Sequence, residues 1–171
     1  IDAITINNSS GASPAVLIIP DIIIGEVLNV NGGSVDGGGQ ITMGNSAAST
    51  TFNMRRAGSG KLLDPPIFDL NGVTFNATYN FSSQPMVTDV ELPSTISGTL
   101  MINNSNGVIL NATTTAQKLA LTNGTLTTAT STALIISGTN PTDVTGGSST
   151  SYVKGPLIRT FPPSLASGTE Y

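Results

Sequence analysis

The stretch Leu119-Ala-Leu-Thr-Asn-Gly-Thr-Leu126 decides how the chain is read: two apolar positions in alternation, a polar Asn-Gly turn, and a further apolar residue beyond it. The same unit stands 19 residues earlier as Leu100-Met-Ile-Asn-Asn-Ser-Asn-Gly-Val108, and again as Leu28-Asn-Val-Asn-Gly-Gly-Ser-Val35. Asn-Gly between short strands ordinarily signals a type I′ hairpin, hence an antiparallel β-sandwich or barrel. A spacing near 20 residues with Asn/Gly corners instead suits one coil of a parallel solenoid. A coil cannot bury its inner face alone, so neighbours stack at about 4.8 Å. Asn tolerates the left-handed corner conformation and can bond to the Asn of the next coil, while Thr suits flat exposed faces. The expected fold is therefore all-β, a right-handed parallel β-solenoid, with an antiparallel sandwich as the alternative.

The rest of the chain agrees in style. Alternation runs for nine positions in Val73-Thr-Phe-Asn-Ala-Thr-Tyr-Asn-Phe81. Shorter runs such as Ile4-Thr-Ile6, Ile41-Thr-Met43, Val108-Ile-Leu110 and Leu134-Ile-Ile136 are separated by turn formers. No window carries a helical stripe. The period drifts, since the Leu119 and Leu134 runs are only 15 apart. Residues 55–95, with Arg55-Arg56, Asp64-Pro65-Pro66, Gln84-Pro85 and Leu92-Pro93, read as an irregular excursion. There the strand at 73–81 fits either a coil with a wide loop or an antiparallel pair on the solenoid's side. Ala15-Val-Leu-Ile-Ile-Pro-Asp-Ile-Ile-Ile24, broken by Pro20 and Asp21, reads as two buried strands rather than a membrane span.

Composition then removes whole chemistries. The 171 residues include no His and no Cys, so no Ser-His-Asp triad, Cys-His dyad, imidazole or thiolate metal site, or disulfide can be built. Only 9% of residues are charged, the net charge is −4 and the isoelectric point is near 4.4. Nucleic acid is therefore a poor partner. Nearly half the chain is Thr, Ser, Asn or Gly, and the apolar content is mostly aliphatic. One domain is expected over 1–171, read as a segment of a longer chain because it opens at Ile1 without Met or a leader, with 140–171 as a boundary or linker to a following module.

Thr114–Tyr171 also carries a resemblance. Lys118-Leu-Ala-Leu-Thr-Asn-Gly-Thr-Leu-Thr-Thr, then Ala133-Leu-Ile-Ile-Ser-Gly, then Val144-Thr-Gly-Gly-Ser-Ser-Thr-Ser-Tyr-Val-Lys-Gly-Pro-Leu-Ile-Arg159 resemble the β-strand-repeat segments of large cell-surface, adhesin-like proteins of Bacteroidota. The likeness is tightest over the last third, general over 1–60 and lost over 61–95. It implies export to the cell surface, commonly by type IX secretion, within a very long chain. Closure at Ser167-Gly-Thr-Glu-Tyr171, where the family pattern continues, reads as a fragment's end. The implied function is a non-catalytic structural or adhesive segment of an extracellular surface protein or filament. Its implied partners are other modules of the same chain, surface glycans and neighbouring surface proteins. A carbohydrate-binding or polysaccharide-degrading β-helix is the alternative.

Candidate sites follow from what chemistry remains. No catalytic, cofactor or metal residue is assigned. Asp89 and Glu91, two apart, would share a strand face as an exposed pair, or serve as an acid pair or Ca²⁺ ligands. Asp64 and Asp69 flank the prolines near Lys61 and read as solvated turn charges. Gly32-Gly-Ser-Val-Asp-Gly-Gly-Gly39 lacks the Lys-Ser/Thr ending of a phosphate loop and the several Asp of a Ca²⁺ repeat, so it reads as a Gly-rich corner. The run Thr125–Thr132 offers a ladder for ice or sugar, or plain solvent-facing strand. Phe75, Tyr79 and Phe81 would share one face, as a sugar-stacking platform or a packed surface. Asn7, Asn8, Asn76, Asn80, Asn103, Asn111 and Asn123 fit Asn-x-Ser/Thr, a pattern of little meaning in a bacterium.

Overall fold

A computed structural model describes residues 1–8, 16–17, 20–44 and 49–164. Ala15, Ile18, Ile19 and the closing Ser167–Tyr171 segment lie outside them. Within the described residues the chain is all-β, a parallel β-solenoid of about six turns, consistent with a right-handed parallel β-helix. Among the described residues, antiparallel pairing is confined to two isolated bridges, Ala129 with Thr132 and Ser148 with Ser151, and no helix is long and apolar enough to cross a membrane.

The main face is a nine-stranded sheet whose strands pair one coil apart. Ala3–Asn7 lies beside Val27–Gly32, then Thr51–Arg56, Thr74–Tyr79, Thr95–Asn103 and Thr114–Asn123 follow in order. Thr114–Asn123 is continued by two strands: Leu134–Ile136 on its first half and Val144–Gly146 on its second. Alternation sends every second side chain inward. The register therefore builds one inner column from Ile4 through Leu28, Met54, Ala77, Leu100 and Leu119 to Val144. The repeat seen in the sequence is this register, with Leu100 beside Leu119, Met101 beside Ala120 and Ile102 beside Leu121.

A second face has two separate sheets, Val16–Leu17, Ser34–Asp36 and Lys61–Leu62 in one, and Met86–Val87, Val108–Ile109, Leu126–Thr127 and Val153–Lys154 in the other. A third holds Ile22–Ile24, Ile41–Gly44 and Ile67–Asp69. Between the faces the core fills with aliphatics and a small aromatic group, in which Phe52 stacks on Phe75 at 5.6 Å and 12°. Phe68 meets Phe75 edge-on at 5.8 Å.

The Asn-Gly pairs at 71–72, 106–107 and 123–124 are corners, while Asn31-Gly32 ends the strand Val27–Gly32 and the bend follows at Gly33. Gly124 follows Asn123 at φ +80°, a region open to glycine, and a Cβ there would run into the backbone carbonyl of Asn104 on the preceding coil. The tightest corner belongs to an Asn outside any Asn-Gly pair. Asn104 is fully buried; its amide donates to the carbonyls of Gly107 (2.9 Å) and Gln84 (3.3 Å), and its oxygen accepts from the N–H of Ser82 and Asn106 (both 3.2 Å). Amide-to-amide bonds do link coils, but not only at corners: Asn76 donates to Asn53 between mid-strand positions and Asn103 to Asn80 at strand ends, each at 3.2 Å.

Residues 55–95 keep the coil path more closely than an irregular excursion would. Thr74–Tyr79 pairs parallel with Thr51–Arg56 along its whole length and with the strand that follows. The irregularity sits on the second face, where Lys61–Leu62 and Met86–Val87 are successive strands of different sheets.

Candidate functional site

That break in the second face is where the chain's most polar interior lies. The inner column next to the apolar one runs Ile6, Val30, Arg56, Tyr79, Ile102, Leu121, so its middle is an arginine and a tyrosine. Lys61 and Leu63 donate back to Gly33 and Val35, while Met86 and Thr88 donate forward to Gly107 and Ile109. By the alternation of a parallel ladder, the carbonyls of Gly60 and Val87 then face the gap. Arg56 fills it: Nε donates to the Gly60 carbonyl at 2.7 Å and Nη1 to the Val87 carbonyl at 2.9 Å. The guanidinium thus replaces the missing strand-to-strand bonds.

Its charge is answered by Glu91, 1% exposed, whose Oε1 lies 2.7 Å from Arg56 Nη1. The same oxygen accepts from the Tyr79 hydroxyl at 2.7 Å and the Asp89 N–H at 3.1 Å. Oε2 is buried and has no hydrogen-bond partner among the described residues. Arg56 also stands 5.8 Å from the centroid of the Tyr79 ring. Burial, and next the Glu91 carboxylate, hold the Tyr79 phenol well above its ordinary pKa, so it stays a donor. The cluster is buried and, apart from Glu91 Oε2, internally paired, and its chemistry is that of a structural staple.

The acids singled out from sequence are therefore distributed differently. Asp89 and Glu91 share no strand face; they belong to a turn closed by the Leu92 N–H on the Asp89 carbonyl at 3.0 Å, with Glu91 inward and Asp89 exposed. The exposed-pair expectation is corrected for Glu91 because the turn aims it at Arg56. Asp36 and Asp64, from adjacent coils, accept from the same Gly37 N–H, at 2.8 and 3.3 Å. The surrounding Gly-rich segment, residues 32–39, is not a single corner: the strand Ser34–Asp36 separates a bend at Gly33 from one at Gly37, which runs into a short 3-10 turn, Gly38–Gln40. Asp69 is half-buried at the end of its third-face strand. Among the described residues, no group of three or more Asp or Glu could hold a metal ion. Asp143 is buried, accepts from the Asn140 N–H at 2.8 Å and lies 3.7 Å from Lys118 Nζ.

The run Thr125–Thr132 is no ladder. Only Leu126–Thr127 is strand; Thr128 points inward and donates to the Pro156 carbonyl at 2.9 Å, and Ala129 to Thr132 form a turn. Thr127 is flanked on its sheet by Ile109 and Lys154, not by threonines. The aromatic platform is dispersed as well. Phe75 and Tyr79 are fully buried, while Phe81 lies past the strand end and is 69% exposed. Strict alternation would have aligned all three, but the strand ends at Tyr79 before Phe81 is reached.

One concave surface was not legible as a motif. On the outside of the main sheet, Asn53 and Arg55, then Asn76, Thr78 and Asn80, then Thr99 and Met101 line a groove of about 420 Å³ across three coils. These residues fall on the outward parity of their strands, opposite the inner columns. Arg55 and Arg56, adjacent in sequence, thus serve opposite faces.

No family model, curated protein or solved structure matches the chain.

Proposed function

We propose that the chain is a non-catalytic structural and adhesive repeat segment of an extracellular bacterial surface protein, holding neighbouring modules at a distance. The observation that carries this reading is the uninterrupted apolar column from Ile4 to Val144, which stacks seven successive strands of the main sheet along one axis. A stack of this kind is extended by adding coils and stiffened by the ladder between them. Sparse charge and abundant Thr, Ser and Asn suit a wetted exterior, and the repeat style at Thr114–Arg159 supports a place in a long surface chain. The partners proposed are other modules of the same chain, surface glycans and neighbouring surface proteins. Buried Glu91 is engaged by Arg56 and Tyr79, which favours a mechanical over a catalytic role for the interior.

Protease shaving of intact cells of the native bacterium tests the reading. Peptides from this segment are expected in the shaved fraction before lysis, and purified segment is expected to leave a panel of polysaccharides uncut. Recovery from the cytosol alone, or depolymerisation of any polysaccharide, would overturn it.

A further inference from the structure

The outer groove has a one-sided hydrogen-bonding inventory. The Asn53 oxygen accepts from the Asn76 amide at 3.2 Å, the Asn76 oxygen from the Thr99 N–H at 2.8 Å, and the Asn80 oxygen from the Asn103 amide at 3.2 Å. The coil-to-coil ladder has thus engaged all three amide oxygens. The amide N–H groups of Asn53 and Asn80 have no recorded protein acceptor among the described residues, and Asn76 keeps one N–H spare. Arg55 is exposed and makes no ion pair or hydrogen bond among the described residues. No carboxylate lines the groove. What remains for a ligand is an excess of donors, the Thr78 and Thr99 hydroxyls, one permanent cation and an apolar patch at Met101.

From this we infer that the groove binds an anionic polysaccharide lying along the solenoid axis, its carboxylate or sulfate on Arg55 and its hydroxyl and ring oxygens on the amides of Asn53 and Asn80. Arg presents a planar fork of donors matched to a carboxylate. Glycan hydroxyls can accept or donate as the partner requires, which suits a surface rich in donors with the Thr78 and Thr99 hydroxyls among its few acceptors. An extended acidic peptide brings one N–H for every carbonyl and would leave much of its backbone N–H short of acceptors there. Three coils at about 4.8 Å spacing present about 10 Å of groove, the reach of a disaccharide. The net charge of −4 opposes a polyanion only weakly here, because exposed charges beyond a Debye length of about 8 Å are largely screened at physiological salt. Capture in this groove does not depend on the segment's being a stalk, since it uses only the outward residues of three coils.

The test is calorimetric titration of the intact segment with three probes of equal length: an oligogalacturonate, its methyl ester, and a sulfated oligogalactan. Binding of the first or third, lost on esterification, is expected, and which of the two binds tells carboxylate from sulfate. Arg55→Gln should raise Kd about tenfold or more, and Asn80→Ala about threefold to tenfold. Both positions point outward, and Asn80→Ala also removes the acceptor of the Asn103 amide, so a retained cooperative unfolding transition, rather than an unchanged midpoint, shows that each variant still folds. Amide resonances of Asn53 and Asn80 should shift on titration. Absence of binding by both acidic probes, equal binding of the methyl ester, Kd unchanged in Arg55→Gln, or tighter binding of an oligoglutamate peptide would each overturn the inference. Surface location is read separately by cell shaving, so failure of one leaves the other standing.

Discussion

Two inner columns run side by side under the main sheet, two residues apart on the same strands, and only one stays apolar. The column from Ile4 to Val144 stacks aliphatic and Met side chains throughout, while its neighbour passes from Ile6 and Val30 through Arg56 and Tyr79 before returning to Ile102 and Leu121. Backbone register is the same for both. The difference arises on another face, where the second sheet breaks between Lys61–Leu62 and Met86–Val87 and two carbonyls need donors. In a solenoid a defect on one face can thus be repaired through the core by a side chain rooted on another. The cost is a buried charge, which obliges a second residue, Glu91, to come in from a turn.

The largest expected effect breaks this repair. Arg56→Leu strands a buried carboxylate and should destabilise by about 3–5 kcal/mol. The double variant Arg56→Leu/Glu91→Leu should recover a large part of that loss, because no unpaired charge remains. Chemical denaturation of the single and double variants checks both, and a double variant no more stable than the single would show that the carbonyl contacts, not the charge, dominate.

Tyr79→Phe removes one donor to Glu91 and should cost about 1.5–3 kcal/mol. It also carries a pH signature. The folded phenol sits above its ordinary value of about 10, so its stabilising contribution is complete below pH 10 and declines as pH rises toward the folded value. Unfolding midpoints followed from pH 8 to 11 should therefore fall less steeply in Tyr79→Phe than in the parent chain. Parallel slopes would mean that Tyr79 titrates alike in both states.

The smallest effect sharpens the comparison from its apolar end. Ile102→Val, in the same column one coil beyond Tyr79, should cost about 0.5–1.5 kcal/mol with no alkaline component. A thermal melt at two pH values separates this simple loss of packing from the polar step beside it.

What could be read in the sequence follows the same division. The Leu-x-Leu and Leu-x-Ile units of the later coils are register partners because nothing but apolar stacking sets them, and Leu28 falls in the same column as Leu100 and Leu119. The Gly-rich run at residues 32–39 was legible only in part, since glycine marks its two bends but not the strand Ser34–Asp36 between them. Arg56 and Glu91 were not legible: their partners are carbonyls and each other, 35 residues apart, and no spacing rule encodes a missing strand pair. Nor could alternation reveal where a strand stops. Phe81 has the parity of Tyr79 and the opposite exposure, while Thr128 turns inward at the end of its two-residue strand. The outer groove was hidden for a third reason, since its residues come from three coils and form one surface only once the coils are in register.

The parallel path itself has a mechanical consequence. Each coil stores a long stretch of polypeptide in a short axial rise: from Ile4 to its register partner Leu28 are 24 residues. That is about 80 Å of extended chain held in about 4.8 Å. Tension applied through the two ends therefore loads the ladder one edge at a time, so coils peel in sequence rather than shear together. A chain built this way lengthens in increments under pull, releasing slack at its ends while the interior coils stay wound.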